Sequence, residues 1–216
     1  VSNDLILLLP TICLLACAMS LWFEAKNLNQ LTLKTKLLAS LAFVGFAWQL
    51  GAINSSYGQI MLFGLALSLM GDVLLAMKGR KLYFLLGIGA FLLAHIAYAV
   101  AFYQLGFDAT KLALILPVVM AFLLITTWWL RPHLNGPFVL AVPVYLLAIG
   151  VMLVFAWGNQ STSAYAWVIG GASLFAFSDL WVARNRFIQA DIRNRIVGLP
   201  IYYLAQLMLA YSIAVH

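Results

Sequence analysis

The chain has 216 residues, 65% of them hydrophobic and 8% charged, and a formal net charge of +6. A water-soluble domain averages about 45–50% apolar and about 25% charged residues. The composition therefore excludes a soluble globule and predicts an all-α polytopic membrane bundle, one integral membrane domain over residues 1–216. In such a chain the basic excess bears on orientation in the bilayer. It does not imply a nucleic-acid partner.

About 20 apolar residues cross a bilayer core as a helix, and eight segments qualify. The first, Leu5–Phe23, carries Cys13 and Cys17 one helical turn apart, as small apolar residues rather than a disulfide framework. It is preceded by Asp4 and by no Lys or Arg, so it is expected to be a true span and not a signal peptide. The second, Leu37–Leu50, is short, and its start is expected nearer Lys34. Gly58–Met77, Leu82–Leu105, Leu112–Leu130, Pro137–Trp157, Ala164–Ala183 and Ile196–Val215 follow, with Pro117 and Pro143 inside the fifth and sixth. The connections are brief and polar.

The first, third, fifth and seventh loops hold eleven of the twelve Lys and Arg residues, and the other side holds only Lys111. The positive-inside rule then places those loops in the cytoplasm and both termini outside, with a bacterial inner membrane as the expected location. The chain also carries a faint repeat. Gly64–Ala76 aligns with Gly171–Ala183 at an offset of 107, and Ala94-His95 aligns with Ala205-Gln206 at an offset of 111. The third and seventh spans run the same way, so the pattern predicts a four-plus-four parallel pseudo-repeat.

Two carboxylates interrupt the apolar runs. Asp72 lies six residues before Lys78, and Asp179 five before Arg184. At about 1.5 Å per residue, both fall roughly 8–9 Å inside the basic edge. Burying an ionised group in hydrocarbon costs several kcal/mol, so each is a candidate functional residue. Ser68 shares a face with Asp72. Tyr202, Tyr203 and Gln206 in the eighth span, Tyr145 in the sixth, and His95 and Tyr98 in the fourth are candidate lining residues. The same rise puts His95 about 20 Å from the edge, an awkward distance for direct contact with the aspartates that a tilted helix, a water or a long substrate would have to bridge. The three histidines make no zinc cluster, and no phosphate loop or nucleophile elbow occurs, so neither metal nor cofactor is expected.

FGLALSLMGDVLLAM, FLLGIGAFLLAHIAYAVAF, VPVYLLAIGVM, GGASLFAFSDLWVARNRF and IYYLAQLM together resemble the YhhN-like family of lysoplasmalogenases. One position departs from the family's pattern: Lys36 is followed by Leu37 where proline is usual. The resemblance implies hydrolysis of the vinyl-ether bond of a lysoplasmalogen, with a lysophospholipid and water as partners among membrane lipids. Asp72 and Asp179 would be the catalytic pair, one donating a proton and one stabilising the cation. Lys36, Arg80 and Arg184 at the basic rim would hold the phosphate. The residues alone leave two other classes open. Membrane acids and a histidine also suit a proton-coupled transporter, and Asp72 after Gly71 suits, less well, an intramembrane aspartyl protease.

Orientation is directly testable. A reporter fused at His216 is expected to read outside, and one in the Arg184–Arg195 loop is expected to read cytoplasmic. A cytoplasmic C terminus would overturn this topology.

Overall fold

Eight α-helices make up nearly all of the described residues. The structure, a computed structural model, describes residues 3–77, 81–160 and 163–216. The helices are α1 (Asn3–Ala25), α2 (Asn29–Gln49), α3 (Ser56–Ala76), α4 (Lys81–Gln104), α5 (Ala109–Leu130), α6 (Phe138–Gly158), α7 (Tyr165–Ala183) and α8 (Ile192–Tyr211). A π-helical turn, Arg184–Ile188, follows α7 directly. Among the described residues, α1 to α7 are long and apolar enough to cross a membrane. The chain is an integral membrane protein.

Helix α8 is as long as the others but more polar, with Asn194, Arg195, Tyr202, Tyr203 and Gln206 in its 20 residues. It packs against α7, α1 and α2, so these side chains meet protein instead of lipid. Helix α5 is the opposite case. It buries only Val119, Leu123, Thr126 and Leu130, one stripe at helical spacing. Trp128, 78% exposed, and Leu114, 70% exposed, point away from the bundle.

Two helices differ from their sequence-based bounds. Helix α2 begins two turns before Leu37, because its polar first turns (Thr32, Thr35, Lys36) are buried against neighbours rather than exposed to lipid. Helix α8 begins at Ile192, where the Asp191 carboxylate accepts the Arg193 amide at 2.8 Å. Other starts are capped in the same way. Ser55 accepts the Gly58 amide at 3.0 Å, and Asp108 accepts those of Thr110 and Lys111. The amides of Lys111 and Thr110 hold the Asp108 carboxyl below its ordinary pKa.

Apolar helices gain little from burial against one another in lipid, so close packing at small residues must hold them together. The glycines show where. A Cβ on Gly64 would lie 2.5 Å from the Tyr98 ring, and one on Gly171 2.7 Å from Leu209. A Cβ on Gly87 would lie 3.5 Å from the Gly71 carbonyl, and one on Gly198 3.6 Å from that of Ser178. Between these two contacts of α3 with α4 and the two of α7 with α8, the offset is 107 for the first helix and 111 for the second. These are the offsets of the sequence repeat. The two helix pairs dock in the same register.

The basic loops gather on one face. Arg195 grips Glu24 through Nη2 at 3.1 Å and Nε at 3.2 and 3.1 Å, tying α8 to α1. Lys81 lies 5.2 Å over the Phe138 ring, and the Arg186 guanidinium lies 4.2 Å over Phe84. The other face is closed by Tyr57 OH to Ser212 Oγ at 2.7 Å and by the Asp108 amide to the Gly158 carbonyl at 2.8 Å.

Packing predicts a contrast between two glycines of this bundle. Gly64→Ala drives a methyl into the Tyr98 ring and is expected to cost ~1–3 kcal/mol. Gly89→Ala meets nothing within 4 Å and is expected to be neutral or stabilising by ~0.5–1 kcal/mol. Thermal unfolding in detergent reads both; equal midpoints would refute the packing account.

Candidate active site

Asp72 faces into the bundle from α3 and is 3% exposed. Lys36 and Ser40, one turn apart on α2, meet it side by side. The Ser40 hydroxyl lies 2.7 Å from Asp72 Oδ2, and Lys36 Nζ lies 3.7 Å from Oδ1. From α8, Tyr202 donates to Oδ2 at 2.7 Å. At 3.7 Å the lysine attracts by charge, since a charge-assisted hydrogen bond is about 2.7–2.9 Å long. Tyr202 and Lys36 bring Asp72 a donor and a cation, and the Ser40 hydroxyl, which also lies 3.0 Å from the Lys36 carbonyl, has one proton for the two acceptors. Tyr203, fully buried beside Ser40, reaches the Lys36 carbonyl at 3.3 Å and steadies this turn of α2.

Asp179 on α7 has different company. Tyr145 on α6 donates to its Oδ2 at 2.9 Å, and His95 Nε2 on α4 stands 3.4 Å from the same oxygen. The His95 ring is fully buried and stacks on Phe175 with centroids 4.4 Å apart. Its Nδ1 lies 2.6 Å from the Phe91 carbonyl one turn earlier. The helical-rise estimate, which set His95 at an awkward distance from both aspartates, is therefore corrected. It treated helices as parallel to the membrane normal and ignored the reach of two side chains towards each other.

Both carboxylates line one cavity of about 80 Å³. Lys36, Tyr145, Tyr202, Asn194 and Arg195 are among its other polar lining residues, and Phe91, Ile149 and Leu199 are among its apolar walls. The predicted third, fourth, seventh and eighth spans contribute, and α2, α5 and α6 do as well.

Several expected lining residues lie elsewhere. Ser68, Tyr98 and Gln206 form a buried cluster outside the cavity wall: Tyr98 donates to Gln206 Oε1 at 2.8 Å, and Ser68 Oγ lies 3.2 Å from Tyr98 OH. Their polar groups satisfy one another between α3, α4 and α8, and Tyr98 fills the space left by Gly64. Lys36 is not at the rim. It is 2% exposed, drawn inward by the charge of Asp72. Arg184 donates to Asn194 Oδ1 and does not face the cavity. Arg80 lies outside the described residues.

Residues 29–213 match the YhhN family. The chain belongs to the YhhN family. It is 31% identical to "Lysoplasmalogenase TMEM86B" of Homo sapiens over 193 residues, 89% of this chain and 79% of the human protein. It is also 31% identical to "Lysoplasmalogenase" of Mycobacterium bovis over 144 residues, 64% of this chain and 53% of that one. No solved structure matches it.

Three polar residues of this YhhN protein escaped the sequence reading. Ser40 is a small residue inside the second span with nothing to mark it, although its spacing from Lys36 puts both on one helix face. The apolar pattern predicts Arg195 and Asn194 to lie in a loop, but they stand on the first turns of α8 and line the cavity. Asn194 also donates to the Gln189 carbonyl at 2.7 Å, which ties the π turn to α8.

The Lys36–Asp72 pair predicts a double-mutant signature. Lys36→Met strands a buried carboxylate and is expected to cost ~3–5 kcal/mol. Lys36→Met with Asp72→Asn removes both charges and is expected to regain most of that loss. Unfolding midpoints in detergent measure both, and a single variant as stable as the parent would contradict the pairing.

Proposed function

We propose that this protein hydrolyses the vinyl-ether bond of lysoplasmalogens, releasing a fatty aldehyde and a glycerophospho-head group. The observation that carries this reading is that Asp72 and Asp179 line one cavity within a membrane-embedded bundle. Membership in a family with relatives named lysoplasmalogenase supports it. In this reading the basic face is cytoplasmic, both termini are outside, and the substrate enters from the leaflet beside that face.

The chemistry needs an acid and a base. A proton is added to the alkene carbon remote from oxygen, and the π electrons form the new C–H bond. The resulting oxocarbenium ion is attacked by water, and the water's surplus proton passes to a carboxylate. The hemiacetal then breaks its C–O bond to the glycerol oxygen. The same carboxylate returns the proton to that leaving oxygen, while the hydroxyl proton goes back to the first acid. Two carboxyl groups with unlike environments can divide this work, as in glycoside hydrolysis. The mostly apolar walls keep bulk water from quenching the cation. Arg195, which lines the cavity and is paired with Glu24, supplies a cation for the phosphate in place of Arg184.

Purified protein given a lysoplasmalogen and its saturated ether analogue is expected to release aldehyde from the first only. A carrier releases none from either. Asp72→Asn and Asp179→Asn are each expected to lower turnover by ~10²–10⁴-fold while remaining folded. The double variant is expected to be scarcely slower than either single one, because the two groups serve one reaction. Near-parent turnover by either variant would remove the catalytic pair.

A further inference from the structure

We infer that Asp179 and His95 together hold one exchangeable proton, that this proton is the one delivered to the alkene, and that Asp72 is the carboxylate serving the water. The inference rests on the hydrolase reading and divides its labour.

The tautomer of His95 decides the matter. Its Nδ1 is 2.6 Å from the Phe91 carbonyl oxygen, which can only accept, so Nδ1 carries a hydrogen. In a neutral ring Nε2 then presents a lone pair. That lone pair, on a fully buried ring, has no hydrogen-bond donor of its own, yet it stands 3.4 Å from Asp179 Oδ2. Tyr145 already donates its only proton to that oxygen at 2.9 Å. An ionised carboxylate facing an imidazole lone pair would be repulsive. One proton between Oδ2 and Nε2 removes the conflict, whether it resides on the carboxyl or on the ring.

Asp72 contrasts with this. Its Oδ2 receives the Tyr202 hydroxyl and its Oδ1 faces the Lys36 ammonium, which favours the ionised form, whereas Asp179 faces an imidazole lone pair and, among the described residues, no cation. The proton therefore belongs to the Asp179 side. Only Asp179 of the pair reaches the cavity; His95 stands behind it and is a positioning residue that fixes where the proton rests. The cycle balances. Asp179 gives its proton to carbon and becomes a carboxylate, supported by His95 and Tyr145. Asp72 takes the proton of the attacking water and returns it to the glycerol oxygen. Asp179 then recovers a proton from the hemiacetal hydroxyl as the aldehyde forms.

The docking register makes the asymmetry visible. His95 occupies in α4 the place that Gln206 occupies in α8. Gln206 bonds to Tyr98 and leaves Asp72 to Tyr202, Ser40 and Lys36. Equivalent helix positions thus give Asp179 a proton-sharing partner and Asp72 none, and the cation beside Asp72 comes from α2.

Infrared spectra of protein carrying 13C-carboxyl aspartate, with 15N-histidine NMR, test the assignment at neutral pH without substrate. The expected result is either a protonated-aspartate band that Asp179→Asn abolishes and Asp72→Asn leaves, or an imidazolium signal that His95→Gln abolishes. Neutral His95 beside an ionised Asp179 overturns the inference, and so does a protonated Asp72. With lysoplasmalogen, His95→Gln is expected to lower kcat roughly tenfold or more, at a KM near the parent's, and to abolish the shared-proton signal. A parental kcat overturns the positioning role. Absence of aldehyde from the parent protein defeats the hydrolase reading alone, because the spectra still report where the proton sits.

Discussion

An ammonium and a carboxylate with almost no exposed surface impose a demand on the helices around them. In a medium of low polarity, Lys36 and Asp72 each cost several kcal/mol to desolvate, and their attraction repays that only while both stay in place. Much of the bundle's centre follows from this. Helix α2 must turn its polar first half inward to present Lys36 and Ser40. Helix α8 must give up apolarity to bring Tyr202 and Tyr203 to the same spot. The least hydrophobic helices are therefore among the most enclosed ones. Outward-facing helices such as α5 are free to be apolar on nearly every side.

The fold was largely legible in the chain because a bilayer leaves few choices. Backbone groups in hydrocarbon must be paired within a helix, so apolar runs of the right length translate almost directly into elements. The rule weakened where protein, not lipid, surrounds the helix. The start of α2 and the first turns of α8 were read as loops because their polar residues look wrong for lipid. Both carboxylates were visible as interruptions in apolar runs. Their partners were not. A carboxylate announces itself in such a run, whereas Ser40 is an unremarkable residue until another helix is laid beside it. His95 was recognised but misplaced, since rise along one helix says nothing about how far a neighbouring side chain reaches.

The cluster of Ser68, Tyr98 and Gln206 is a different lesson about polar residues in a membrane. Each looks functional in isolation. Together they close a set of hydrogen bonds at a helix crossing and leave no group turned towards the cavity. The Tyr98 ring lies against Gly64, so the same residue supplies packing and polar satisfaction. Residue type alone could not separate this cluster from the groups on Asp72; hydrogen-bond geometry does.

The matching register of α3 on α4 and α7 on α8 bears on how such a site can arise. A four-helix unit returns to the side of the membrane from which it started, so two copies joined by a short loop insert the same way up. Before joining, two identical units would have met as a symmetric dimer, and every substitution in one would have appeared in the other. Such a dimer could not hold histidine at one α4-type position and glutamine at its counterpart. Covalent linkage lifts that restriction. Each half can then mutate independently, and a twofold axis that once enforced equal partners becomes a scaffold on which two unequal acids can specialise.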